Sequence, residues 1–174
     1  MDSKKILRHD SKKILKSLFK AVKSGDCIKV SQILENLNRD TKNKIFEKTH
    51  KGKMLLVLAV TQGYLNIMKI LLENGANVNE RDPNGRTPIY EAGRKGHLQI
   101  IQYLIDCGAN INIVDDIGVS PLSYVACCGK ANSVKLFLKI GIDGIDQSDR
   151  FGSTALSYAA IRGIKKSIQL LLDY

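Results

Sequence analysis

Apolar residues along this chain come in short bursts at intervals of three and four, and glycine separates the bursts. Ile89 to Ala92, for example, is followed by Leu98, Ile100, Ile101, Leu104 and Ile105, which is the spacing of one helix face. The punctuation keeps a register. Gly52, Gly85, Gly118 and Gly152 are 33, 33 and 34 residues apart; Gly63, Gly96, Gly129 and Gly163 follow each of them by eleven; Gly75, Gly108 and Gly141 follow by twelve more. Eleven of the 14 glycines lie on this register, which runs from Gly52 to Gly163. Each unit reads as helix, turn, helix. One such pair cannot bury its own apolar face, so the units must stack.

The residues at the boundaries have mechanical reasons to be there. Thr87-Pro88 and Ser120-Pro121 set a capping hydroxyl before a proline at the first helical position, where the missing N–H costs nothing. Thr154-Ala155 keeps the cap alone, and Met54-Leu55 lacks it, a loss of about 1 kcal/mol that predicts fraying at that helix start. Gly75, Gly108 and Gly141 fall where a helix ends in a left-handed residue. Beyond the first two, Ala-Asn-Val-Asn and Ala-Asn-Ile-Asn read as extended chain leading to turns such as Asp82-Pro83-Asn84-Gly85. A hairpin-like finger is therefore expected before each helix pair.

Asn84-Gly85-Arg86-Thr87-Pro88-Ile89-Tyr90-Glu91-Ala92, then Gly96-His97-Leu98-Gln99-Ile100-Ile101, then Gly108-Ala109-Asn110-Ile111-Asn112, resembles an ankyrin repeat. The resemblance implies an all-α solenoid of stacked helix-turn-helix units with short hairpin fingers. It divides the chain into repeats at 50–81, 82–114, 115–148 and a truncated 149–174. Residues 1–49 hold a basic helix and a degenerate first repeat, carried by Leu18 to Val22, Gly25-Asp26, Val30, Ile33 and Leu34. The interval from Gly25 to Gly63 is 38 residues, and the polar stretch Asn36 to Lys53 reads as a long loop. No polar capping repeat follows Tyr174, so the last repeat is expected to be the least stable or covered by a partner.

In such a stack the finger and inner-helix positions line a concave surface, and the resemblance implies protein recognition there. The positions that fall on it are Lys53, Arg86, Arg94 and Lys95 toward the N-terminal half, and Ile117, Tyr124, Arg150, Phe151, Tyr158, Ile161 and Arg162 toward the C-terminal half. Aromatic side chains beside arginine are what interface hot spots are rich in. The competing reading is that Tyr124 and Tyr158 pack between helices with their hydroxyls wet. A partner with an apolar anchor and acidic residues suits this face, and a strongly basic peptide does not. Asn79 and Asn112 resemble asparagines that hydroxylases modify in ankyrin repeats, although bonding the finger backbone is reason enough for them.

Charge adds a second candidate. The net +10 is uneven: residues 1–53 hold 15 Lys+Arg against 6 Asp+Glu (+9), and residues 54–174 hold 12 against 11 (+1). Asp2-Ser3-Lys4-Lys5-Ile6-Leu7 recurs as Asp10-Ser11-Lys12-Lys13-Ile14-Leu15, and Leu7, Ile14 or Leu15, Leu18 and Val22 form one apolar stripe. That stripe either packs on the second helix and caps the stack or anchors the chain to an anionic membrane or acidic surface. Nucleic acid is disfavoured, because Phe19 is the one aromatic in the segment and no nucleic-acid-binding motif is present.

Other chemistry finds little support. His9, His50 and His97 are scattered, Cys27, Cys107, Cys127 and Cys128 form no C-x-x-C, and no nucleophile-elbow or phosphate-loop motif occurs. No metal, cofactor or catalysis is therefore expected. The thiols read as reduced, which points to the cytoplasm or another reducing compartment. A Sec-type signal and a membrane-spanning stretch are not readable, secretion by another route stays open, and a monomer is expected. A further analogy is to small ankyrin proteins that act as effectors inside a host cell.

Overall fold

The computed structural model describes the backbone of residues 3–47 and 55–174, and in the first of these segments the side chains of residues 12–46. Among the described residues there are eleven α-helices and no strand. No described helix is long and apolar enough to cross a membrane. The chain divides into two compact units, residues 1–77 and 78–174.

In the first unit α1 (Ser3–Lys23) pairs with α2 (Cys27–Glu35), and α4 (Leu55–Gln62) pairs with α5 (Leu65–Glu73). The pairs lie side by side, α1 against α4 and α2 against α5. Leu18, Ala21 and Val22 of α1 are buried with Val30 and Leu34 of α2, so the C-terminal half of the stripe is a packing face. Asp26 starts α2 by accepting the Lys29 N–H at 2.9 Å. Leu7, Lys4 and Lys5 lie outside the described side chains, as do His50, Lys51, Lys53 and Met54, with the fraying expected at Met54.

The loop expected from Asn36 to Lys53 is partly helical. Residues Arg39–Glu47 form α3, packed on α1. The Asn38 side chain accepts the Thr41 N–H at 2.9 Å, and Ile45 is 2% exposed. One cap and one buried anchor suffice where the surrounding Lys and Asn give no apolar period.

The second unit holds three pairs: α6 (Pro88–Lys95) with α7 (Leu98–Asp106), α8 (Pro121–Cys127) with α9 (Ala131–Ile140), and α10 (Ala155–Ile161) with α11 (Lys165–Leu172). First helices pack on first helices and second on second, giving two layers around a core that includes Ile89, Ile101, Leu104, Val125 and Phe137. Gly93 of α6 makes the close approach possible. A Cβ there would sit 2.4 Å from Val125 Cγ2 and 3.0 Å from Phe137 Cε2.

The expected caps divide. Ser120 accepts the Ser123 N–H at 3.1 Å, and Thr154 forms a reciprocal capping box with Ser157. Thr87 does not cap. The Tyr90 N–H that it would have served bonds instead to the Thr87 carbonyl at 3.1 Å, and the Thr87 hydroxyl is buried without a partner. The start of α6 therefore relies on Pro88.

Candidate binding surface

The fingers of the second unit are built by three aspartates. Asp82 Oδ1 accepts the N–H groups of Asn84 (2.8 Å) and Arg86 (2.9 Å). Asp115 Oδ1 does the same for Ile117 (3.1 Å) and Val119 (2.9 Å), and Asp149 Oδ1 for Phe151 (2.8 Å) and Ser153 (2.9 Å). A carboxylate gathering successive N–H groups closes each turn, helped by a glycine three residues on that adopts a left-handed φ. Neighbouring fingers touch through backbone bonds of 3.0 Å from Asp116 N–H to the Asn84 carbonyl and from Arg150 N–H to the Ile117 carbonyl. At their tips Ile117 is 41% and Phe151 78% exposed, with Arg150 exposed beside them.

Behind the tips the side chains serve the fold. Arg86 donates from Nε to Asp115 Oδ2 at 3.2 Å, and its guanidinium lies 4.5 Å over the Tyr124 ring. Burial opposes its charge, but the bond to Asp115 and the nearby negative groups leave its pKa raised. Tyr124 in turn packs at 5.7 Å against Tyr90, whose hydroxyl lies 2.7 Å from the Ile113 carbonyl and 2.8 Å from that of Val119. Tyr158 donates to Asp149 Oδ2 at 2.5 Å; this bond, with some burial, pushes its hydroxyl up to about 12 and holds Asp149 below the usual carboxylate value. Arg94 is clamped by Glu91, with its closest contact at 2.6 Å.

The far ends of the first helices form a second focus, an open pocket of about 560 Å³. Its walls come from the turns of three successive pairs: Arg94 and Lys95, then Cys127, Cys128 and Lys130, then Arg162 and Ile164. The lining contains no carboxylate. The ion pairs of this unit include Arg81–Asp116, Arg86–Asp115 and Arg94–Glu91, and among the described residues Lys95, Lys130 and Arg162 join none, so they are uncompensated. The Cys127 Sγ lies 4.0 Å from that of Cys128 and 3.1 Å from the Tyr124 carbonyl oxygen. Burial, with Cys128 adding to it, pushes the Cys127 thiol up to about 11.

The candidate residues therefore separate into three groups. Ile117, Arg150 and Phe151 share the finger tips; Arg94, Lys95 and Arg162 share the pocket; Arg86, Tyr124 and Tyr158 are engaged within the unit. Ile161, at the end of α10, is 76% exposed. Lys53 lies outside the described residues. Asn79 bridges to the next loop, donating to the Gly108 carbonyl (3.0 Å) and accepting from the Asn110 N–H (2.8 Å), whereas Asn112 donates to Asp143 Oδ2 at 3.0 Å. Sequence reasoning placed Asp82 in its turn but missed Asp115, Asp149 and Lys130, although these carry a signal. Each aspartate stands three residues before a register glycine, and Lys130 directly follows one.

Paired helices packed side by side, with an aspartate-closed turn before each pair of the second unit, define an all-α repeat protein. The family model for ankyrin repeats, three copies long, matches residues 18–115 and 107–174, and the chain belongs to the ankyrin-repeat family. The mouse (Mus musculus) 2-5A-dependent ribonuclease is 39% identical over 77 residues, which cover 44% of this chain and 10% of the ribonuclease. The chain thus spans about a tenth of that relative's length. Ankyrin repeats are in general protein-protein interaction modules without catalytic activity.

Proposed function

We propose that the chain is a non-catalytic module that binds a partner protein across the finger tips and inner-helix ends of residues 78–174. One observation carries the reading: large apolar side chains, Phe151 at 78% and Ile161 at 76%, stay exposed next to cations that no described carboxylate neutralises. Apolar anchors flanked by unpaired charge are the raw material of an interface. The complementary partner brings an apolar side chain for the tips and acidic residues for Arg150, Lys95 and Arg162. Tyr124 and Tyr158 then frame the surface and are not its anchors. A thiol held protonated near neutral pH suits Cys127 poorly to nucleophilic catalysis. Four free thiols suit a reducing compartment.

The test is capture from cytosol with the intact chain and with a Phe151→Ala, Ile161→Ala, Arg162→Glu variant, read by mass spectrometry and followed by crosslink mapping on the captured protein. Partners lost with the variant, crosslinked near residues 150–162, are expected. A variant that keeps its circular dichroism and every partner defeats the reading.

A second reading has its own observation. Lys12, Lys13, Lys16, Lys20 and Lys23 are all exposed, and none makes an ion pair among the described residues, which suits attraction to an anionic membrane. Insertion is a different matter, because Leu18 and Val22 are already buried in the unit.

A further inference from the structure

The pocket contains two neighbouring thiols that partner binding does not use. Cys127 and Cys128 sit at the C-terminal end of α8, half-buried, among Lys95, Lys130 and Arg162. Cys107 supplies an internal comparison. It also caps a helix C-terminus, that of α7, and it is the more exposed thiol. Both sites therefore face the negative end of a helix dipole, and they differ in the charges around them. Beside Cys107 stands Asp106; around Cys128 stand uncompensated cations.

We propose that Cys128, in this cationic pocket and backed by Cys127, is a site of S-thiolation by an anionic low-molecular-weight disulfide, of which glutathione disulfide is the type. The cations hold the carboxylates of the incoming disulfide while the sulfurs exchange. Cys128 loses its proton to solvent, and its thiolate attacks one sulfur of the disulfide. The old S–S bond breaks, a Cys128–glutathione bond forms, and the leaving thiolate takes up a proton, so one protein sulfur is oxidised and one glutathione is reduced. Cys127 is the less apt attacker, since its S–H bonds to the Tyr124 carbonyl and burial keeps it protonated. For the same reason its attack on the mixed disulfide, which would release the second glutathione and join the two cysteines, is slow, and the mixed disulfide accumulates. Glutathione attached there lays its carboxylates where a partner's acidic group would sit. That consequence rests on the binding proposal; the modification itself does not.

The experiment treats the reduced full chain with glutathione disulfide, which is anionic, or with cystamine, which is cationic, and maps the modified cysteines by mass spectrometry over time. Glutathione is expected on Cys128 about tenfold faster than on Cys107, with the preference shrinking as salt rises. Cystamine is expected to favour Cys107. A Lys95→Gln, Lys130→Gln, Arg162→Gln variant with unchanged circular dichroism should lose the preference while Cys107 keeps its rate. Faster reaction of Cys107 with glutathione disulfide overturns the proposal, as does one Cys128 to Cys107 ratio for both disulfides, because accessibility alone then governs. No partner enters this measurement, so failed partner capture and failed thiolation are separate results.

Discussion

Two cationic regions of this protein look alike as counts and differ as sites. The first 53 residues carry +9, yet the described lysines of α1 are exposed on a helix whose C-terminal apolar residues, Leu18, Ala21 and Val22, are already buried. Residues 54–174 are nearly balanced at +1, yet they contain a pocket with three uncompensated cations. The difference lies in where the acids are spent. Asp82, Asp115 and Asp149 close turns, Glu91 clamps Arg94, and Asp116 meets Arg81 at 3.3 Å, so acids that balance the sum are occupied elsewhere. Net charge describes attraction at a distance; a recognition site needs charge that the fold has left over.

The comparison breaks most completely if a finger loses its acid. Asp115→Ala removes two turn bonds and the partner of Arg86, and should cost about 3 kcal/mol in urea unfolding. A loss below about 1 kcal/mol would show that the backbone bonds close the finger unaided. Gly93→Ala tests the frame of the pocket from inside. Its Cβ meets Val125 and Phe137, and although alanine favours the helix by about 1 kcal/mol, overpacking should win and lower the melting temperature, with a net cost of about 1–2 kcal/mol.

Equal charge changes in the two regions sharpen the contrast. With an acidic partner in hand, Arg162→Glu should weaken binding about tenfold, whereas Lys20→Glu should change it less than about twofold; equal losses would make the whole chain's field the cause. A smaller effect concerns alkaline pH. The folded Tyr158 hydroxyl is raised to about 12 from an ordinary value of 10.0, so its contribution is complete below pH 10 and lost as pH climbs toward 12. Tyr90 and Tyr124 are raised by burial and act in the same direction. Tyr158→Phe should therefore flatten, without abolishing, the fall of stability above pH 10 in a pH series of denaturant melts. The smallest effect is expected for α1: sedimentation with anionic liposomes should be weak and vanish at high salt, because attraction without insertion is screened. Binding that persists in salt would reverse the ranking of the two regions.

The fold was legible because glycine and apolar spacing are local properties. The first helices of the second unit begin at Thr87, Ser120 and Thr154, where the capping residues stand. What spacing could not tell is which hydroxyl finds its N–H: Ser120 does, whereas Thr87 loses the Tyr90 N–H to its own carbonyl. Helix α3 was hidden because a single cap and the single buried Ile45 leave no period to read. At the site, Arg94, Lys95 and Arg162 could be placed from the register, and the pocket unites them with Cys127 and Cys128. Arg86 and Tyr124 were placed on the concave face by the same register, but their contact could not be read, since it joins two repeats and depends on side-chain reach.

The finger aspartate bears on how such a chain can lengthen in evolution. One oxygen closes the turn of its own repeat, so a duplicated unit brings that turn with it. The other oxygen is answered differently each time, by an arginine of the preceding repeat at Asp115 and by a tyrosine of the same repeat at Asp149. A gene copy thus inherits a complete finger and one unassigned acceptor. Drift can give that acceptor any donor within reach, and neighbouring repeats can diverge while their common hairpin endures.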